Sequence, residues 1–468
     1  MTRHVAGVAA AALFGVALAS GAAAKVPAPR PLNVDVSHSL GGEPELAVNP
    51  LNPHNLVMGF KGGLAVSHDD GRHWTTTTLL QSFNDGVVAV DRAGRFYVGW
   101  VGYGTGTAGP LGVVQVITST DQGRSWSAPV DAIGPQSSLD ADGGVTDSPT
   151  LAPTDRPWMG VDPRTGAVYV SAVDHSDVPG GGVGSATGTN IATCRVNQFT
   201  NPFFDCGRRY LTVSHDGGRT WSPPRPLDSA AYPTGYSSGF AGQPVAVGGV
   251  LATVYLAQRA PGRFCGPCVV FETSRDDGRT WTRHVLDETS VTIDVGLQPY
   301  LRDPTNPVKL ALSEDGDYIF QPYVAADPAH PGRAALLVYN PTRTALEVYR
   351  TTDWGRHWDE PTTVVRTTEG KLRRPWITYS PHGDLGVLWK AARPDDSFTV
   401  RVAISRGGRG GFDQQLLLST AASPPEGTSN SVDDASFLVL DETRVHGGWG
   451  DLRGGGQNES WYGQLAYR

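Results

Sequence analysis

The chain of 468 residues carries 58 glycines, 35 prolines and a net charge of −8. Glycine and proline at that level exclude an architecture of long helices, whose interiors tolerate neither, and favour short strands joined by turns. The negative balance excludes a basic nucleic-acid groove, and 12 tryptophans within a 39% hydrophobic composition exclude a disordered chain.

Residues 1–24 open with a basic start, continue as an apolar run and end in "ALASGAAA" before Lys25. That pattern is a secretory signal peptide with its cut after Ala24, and the apolar run is short for the roughly 20 residues of a membrane helix. Residues 25–468 are therefore expected to be one exported domain without a membrane span, extracellular or periplasmic. The segment "PLNVDVS" follows as a strand with no unit of its own. It is expected to supply the last strand of the chain's final unit.

A repeating unit then begins. "EPELAVNP" (43–50) opens on a polar residue and a proline, continues as a short apolar strand and ends in a turn. Equivalent strands are "DGVVAVDR" (85–92), "RPWMGVDP" (156–163), "QPVAVGG" (243–249), "QPYVAADP" (321–328), "RPWITYSP" (374–381) and "DASFLVLD" (434–441). Downstream lie alternating strands such as "GLAVS" and "RYLTVS", each running into a polar turn: "SHDDGRHW" (67–74), "STDQGRSW" (119–126), "SHDGGRTW" (214–221), "SRDDGRTW" (274–281) and "TTDWGRHW" (351–358). A sixth turn, "SRGGRGGF" (405–412), has Gly407 where the aspartate belongs. In this turn the carboxylate can accept backbone N–H bonds, glycine supplies a left-handed angle, and the tryptophan folds back between sheets. A repeat of this period marks an array of supersecondary units.

Export makes the four cysteines expected disulfides, with local pairing preferred for Cys194 with Cys206 and for Cys265 with Cys268, among three possible connectivities. The "CGPC" string is not read as a redox site, because a β-branched and aromatic run follows it rather than a helix. The glycine-rich stretch 180–190 is read as a loop, and "LQPYLRDPTNPVKLALSEDG" (297–316) has no place in the pattern.

Five copies of Ser/Thr-x-Asp-x-Gly-x-x-Trp resemble the Asp-box, or BNR, repeat of sialidases and other secreted β-propellers. The resemblance implies an all-β fold, a single β-propeller closed by the N-terminal strand. The unit count gives seven blades, with six, the number in sialidases, as the alternative. In that family the box joins the two outer strands of a blade, which makes Asp69, Asp121, Asp216, Asp276 and Asp353 structural. Sialidases clamp the substrate carboxylate with three arginines and use a tyrosine–glutamate nucleophile with an aspartate acid/base. Their first arginine lies in an Arg-Ile-Pro strand before the first box, whereas the corresponding region here offers Arg30 and no such tripeptide. Arg156 and Arg374, in "DRPW" and "RRPW", resemble that strand, and Arg302 or Arg453 is left as a third arginine.

The inner strand of each propeller blade lines the central channel, so the residues opening the units should share one mouth. Alignment puts Glu43, Asp85, Arg156, Gln243, Gln321 and Arg374 there, with Trp158 and Trp376 two positions after the arginines. Paired arginines and aromatic floors suit an acidic sugar. Glycoside hydrolysis needs an acid beside the leaving oxygen and a nucleophile or base opposite, for which Glu43, Asp85 and Asp155 are the candidates, with Glu45, Tyr323 and Tyr379 behind them. The expectation is a secreted, monomeric, sialidase-like glycoside hydrolase of exo-α-sialidase type. A non-catalytic glycan- or protein-binding propeller and a polysaccharide lyase are the alternatives. No cofactor or metal is expected, since the histidines show no metal-ligand spacing.

Overall fold

The apolar runs that precede the repeat turns are strands, and strands make up nearly all the regular structure of the described residues. A computed structural model describes residues 30–38, 41–77, 84–104, 111–133, 154–174, 208–227, 229, 242–257, 268–286, 322–339, 344–425, 436–455 and 459–468. These form seven four-stranded antiparallel sheets. Their inner strands are Glu45–Val48, Asn84–Val90, Thr154–Val161, Val245–Val247, Tyr323–Ala326, Lys371–Tyr379 and Phe437–Leu440, here blades 1 to 7 in order. Each inner strand lies against the next, and that of blade 7 lies against that of blade 1. The sheets therefore close into a seven-bladed propeller, and the six-bladed alternative falls.

Closure is achieved as expected. Blade 7 takes three strands from the end of the chain and its fourth, Leu32–Asp35, from the start, with Leu32 opposite Gln464 and Asp35 opposite Trp461. Radial closure leaves only short sheet edges.

The core is a series of seams between blades. Ala47, Val57 and Leu64 of blade 1 pack on Phe96, Val98 and Trp100 of blade 2. Val36, Tyr462 and blade 1 residues Leu46, Met58 and Phe60 form the seam that closes the ring. The tryptophan of each repeat turn packs at the seam with the preceding blade: Trp74 on blade 7, Trp126 on blade 1, Trp221 on blade 2, Trp281 on blade 3 and Trp358 on blade 4. Trp74 meets Tyr462 edge-on at 5.2 Å, and Trp358 meets Phe271 at 5.1 Å.

The turn itself is a closed hydrogen-bond circuit joining the third and fourth strands. Ser67 Oγ donates to Asp69 (3.0 Å) and accepts from Gly71 N (2.9 Å), while Asp69 Oδ1 accepts from His73 N (2.9 Å). The circuit recurs around Asp121, Asp216, Asp276 and Asp353, with Ser125, Thr220, Thr280 and His357 closing it. Blade 6, which lacks the aspartate, borrows one. Gly407 N donates to Asp384 Oδ1 at 2.7 Å, and that carboxylate also takes Arg468 Nε at 2.9 Å.

These bonds hold the turn carboxylates low. The Thr280 hydroxyl and backbone bring Asp276 to about 2. At Asp69 and Asp353 partial burial is the largest single effect and raises the pKa, but the bonds from His73 and Ser67, or His357 and Thr351, outweigh it and leave both at about 2. A depressed folded pKa contributes stability that is present above the unfolded value, about 4, and lost as pH falls through the folded one. The urea midpoint is expected to fall most steeply between pH 4 and pH 2, and Asp276→Asn should flatten that fall. An unchanged profile in the variant would refute this account.

Candidate functional site

Antiparallel alternation fixes which groups share a face. Each inner strand enters from one end of the ring, so the turns between third and fourth strands lie at the other end. Asp69, Asp121, Asp216, Asp276 and Asp353 are thus on the face away from the strand entries.

The entries are conformationally unusual. Glu43, Asp85 and Arg374 have φ of 57°, 47° and 48°, a left-handed backbone at non-glycine residues near the start of the inner strands of blades 1, 2 and 6, with Arg374 three residues inside Lys371–Tyr379. Strand pairing slips between Asn84 and Val87, between Asp155 and Trp158, and between Arg373 and Trp376. The slipped pairs, Asp85–Gly86, Arg156–Pro157 and Arg374–Pro375, are β-bulges at corresponding positions of three blades. A bulge bends its strand and re-aims a side chain, and such left-handed residues cost about 1–3 kcal/mol. The sequence places an acid at two of these strained entries and a cation at the third, where glycine would be free of strain.

Glu43, Asp85 and Gln243 are half-buried at their entries, and Arg374 is 3% exposed. Blade 6 concentrates positive charge. Arg373, buried beside Arg374, donates to Asp396 at 2.9 Å and pairs in register with Lys390, whose ammonium donates to Gly450 O at 3.0 Å over the Phe398 ring. Sequence reasoning missed Arg373 and Lys390. The "RR" doublet was a signal for the first, but Lys390 reaches this end only through strand register.

The axis is closed just beyond the entries. The Trp158 and Trp376 ring centroids are 5.5 Å apart, and Trp376 also meets Tyr323 at 5.2 Å and Phe437 at 4.1 Å. Blades 3 and 6 are three places apart around the ring, so this contact spans the axis. The tryptophans spend their faces on one another, at 6% and 2% exposure, and form a packed plug more than an open sugar platform.

The other sequence candidates are spread out. The Glu45 carboxylate bridges blades, accepting from Val88 N at 3.0 Å. Tyr379 ends its strand at the far face, where burial pushes its hydroxyl well above the usual range. Tyr323 belongs to the plug, and Arg453 pairs with Asp451 at 2.8 Å over the Trp461 ring. The backbone of Asp155 and Arg156 lies on the bulged blade 3 strand, and their side chains fall outside the described residues. So do Gln321, Arg302, Cys194, Cys206, Cys265 and residues 1–29, while Cys268 opens the strand Cys268–Ser274 and its side chain is likewise outside. Among the described residues no cluster of three or more His, Cys, Asp or Glu side chains is placed to hold a metal, and no helix is long and apolar enough to cross a membrane.

No family model matches the chain, and no curated protein matches it. Among solved structures it is similar to a Hadza microbial sialidase, with 17% identity over 87% of this chain and 73% of that one and a TM-score of 0.48. It is similar to a protein of unknown function from Dyadobacter fermentans, with 12% identity over 95% and 100% of the two chains and a TM-score of 0.51. A mutant of the NanB sialidase from Streptococcus pneumoniae gives 10% identity over 88% and 83% and a TM-score of 0.43. At these identities the likeness is one of fold alone.

Proposed function

We propose that this chain is a secreted Asp-box propeller that hydrolyses a glycan bearing an acidic sugar, in the manner of a sialidase, at the mouth formed by the inner-strand entries. The observation that carries the reading is the coincidence of left-handed backbone with a β-bulge at Asp85 and Arg374, which sets these entries apart from the left-handed turn residues Asp70, Gln122, Asp277 and Trp354. Glu43, Asp85 and Arg374 hold strained backbone in three blades, at the end of the ring just before the aromatic plug. Strain of this kind persists where the surrounding fold over-determines it, and it clusters at functional sites.

In this reading Arg374, with Arg156, takes the sugar carboxylate through charge-assisted bonds, and Lys390 adds to the field, while Arg373 is paired with Asp396. Asp85 and Glu43, with Asp155, supply the acid and the base or nucleophile for glycosidic cleavage. The plug closes the channel, so substrate enters and product leaves by one face. A carbohydrate is the expected partner, and no cofactor is invoked.

A binding-only propeller is the second reading, favoured by the loss of two candidate catalytic groups, since the Glu45 carboxylate is taken by Val88 N and Tyr379 lies at the far face. A fluorogenic sialoside assayed beside aryl uronides and neutral aryl glycosides is expected to release fluorophore above blank with the sialoside. Binding on a glycan array without turnover of any substrate would overturn the hydrolase and leave the binder. Ultraviolet absorbance from unsaturated uronates on acidic polysaccharides would instead identify a lyase. Export is tested by fusing residues 1–24 to a reporter and locating it.

A further inference from the structure

We infer that Gln243 reads a hydrogen-bond donor of the glycan, a hydroxyl, and that Arg209 is the positioning residue that holds Gln243 in place. This deepens the glycan reading above and rests on it. Blade 4 contributes no charge to its strand entry, which runs Gly242-Gln243-Pro244.

The flanks of Gln243 are held by blade 3 and by the second strand of blade 4 itself. Gly242, at φ 89°, donates its N–H to Val254 O (2.9 Å) and accepts at its carbonyl from Ser171 Oγ (2.7 Å). Ser171 Oγ in turn accepts from Arg209 Nη1 at 3.0 Å, and Arg209 and Ser171 are both 0% exposed. A Cβ on Gly242 would lie 2.2 Å from Arg209 Cδ, so the glycine rests directly on the arginine stem. On the other flank, a Cβ on Gly160 of blade 3 would lie 2.1 Å from the Pro244 carbonyl oxygen. The backbone at Gln243 has little freedom to move.

On that fixed frame the side chain is half-buried, and its Oε1 is buried without a hydrogen-bond partner among the described residues. A carbonyl oxygen withdrawn from water and left unbonded is costly, so a native protein that keeps one at a strand entry calls for an explanation. An amide oxygen accepts and carries no charge. It therefore selects a donor such as a hydroxyl, while the arginines of the mouth select an anion. A site of this kind rejects an analogue lacking the donor, because the acceptor stays unpaired in that complex.

The test combines two readouts on Gln243→Leu, Arg209→Gln and Arg209→Lys. Without ligand, Gln243→Leu is expected to unfold at the wild-type temperature or above, since it removes an unbonded polar atom. A clear drop would show that the amide is structural and would overturn the inference. With the methyl glycosides of N-acetylneuraminic acid and galacturonic acid as probes, Gln243→Leu is expected to weaken binding about tenfold or more. It should also bind the parent glycoside and its monodeoxy derivatives alike, whereas the wild type prefers the parent. Arg209→Gln should reproduce the affinity loss, and Arg209→Lys should restore part of it. A purely structural Arg209 would lower stability without changing the affinity of the folded protein. Wild-type affinity in Gln243→Leu overturns the inference and leaves the glycan reading standing. A wild-type protein that binds neither glycoside overturns that reading, and this one with it. If the Arg209 variants fail to fold, the Gln243→Leu results still decide.

Discussion

Gly71→Ala is expected to destabilise the protein by about 2–5 kcal/mol, against about 1–2 kcal/mol for Gly166→Ala. The two glycines have nearly the same φ, 73° and 77°, so a left-handed strain of an alanine is common to both. They differ in what the new methyl meets. At Gly166 nothing lies within 4 Å, whereas at Gly71 a Cβ would sit 2.2 Å from Tyr462 Cε1. That ring cannot step aside easily. It is fully buried, its hydroxyl is bonded to His446 Nδ1 at 2.8 Å, and His446 Nε2 is held by Asp441 at 3.0 Å. Gly71 belongs to blade 1 and Tyr462 to blade 7, so the clash falls on the seam where the ring closes. The difference between the urea midpoints of the two variants, at unchanged m, measures the contact between blades. Equal shifts would show that the repeat turn is only a local turn and contributes nothing to closure.

Period-2 strands and fixed turn spacing are local signals: the first mark every blade and the strand that closes the ring, the second marks blades 1 to 5. The substitute in blade 6 is not local. Asp384 reaches the Gly407 turn from 23 residues upstream and is tied to Arg468, so no spacing rule could find it. Glu45 looked like a possible acid because it lies near an entry, but only the neighbouring blade shows that Val88 N occupies its carboxylate. The bulges have the same character. Alternation placed Trp158 and Trp376 close to the mouth, but the slip in pairing before each ring is a property of two strands together, and it precedes the turn of these rings onto one another. Glu43, Asp85 and Arg374 break the local rule that left-handed positions favour glycine. Propensity fails there, and it fails equally at Asp70, Gln122, Asp277 and Trp354 in the repeat turns, so what sets Asp85 and Arg374 apart is the bulge that accompanies the strain.

Arg374→Ala is expected to lower kcat/KM for the acidic glycoside at least about a hundredfold, or affinity equally if the protein only binds. Charge-assisted bonds to a carboxylate contribute about 1.5–3 kcal/mol each, and a paired set is worth more than two decades. Lysine should not rescue, because a point charge lacks the planar fork. Arg374 is buried, so loss of activity alone could reflect lost packing, and the backbone supplies the control. At φ 48° an alanine keeps the strain that glycine relieves. Arg374→Gly should therefore be more stable than Arg374→Ala by about 1 kcal/mol, net of glycine's greater unfolded-state entropy, and equally inactive. Asp85→Gly and Asp85→Ala should repeat that ordering on the carboxylate side, with function lost in both. Such an outcome separates the two roles of these positions, since the more stable variant of each pair would be no more active. Wild-type turnover in folded Arg374→Ala would remove the arginine from the site, and with it the claim that the strained entries are held for substrate.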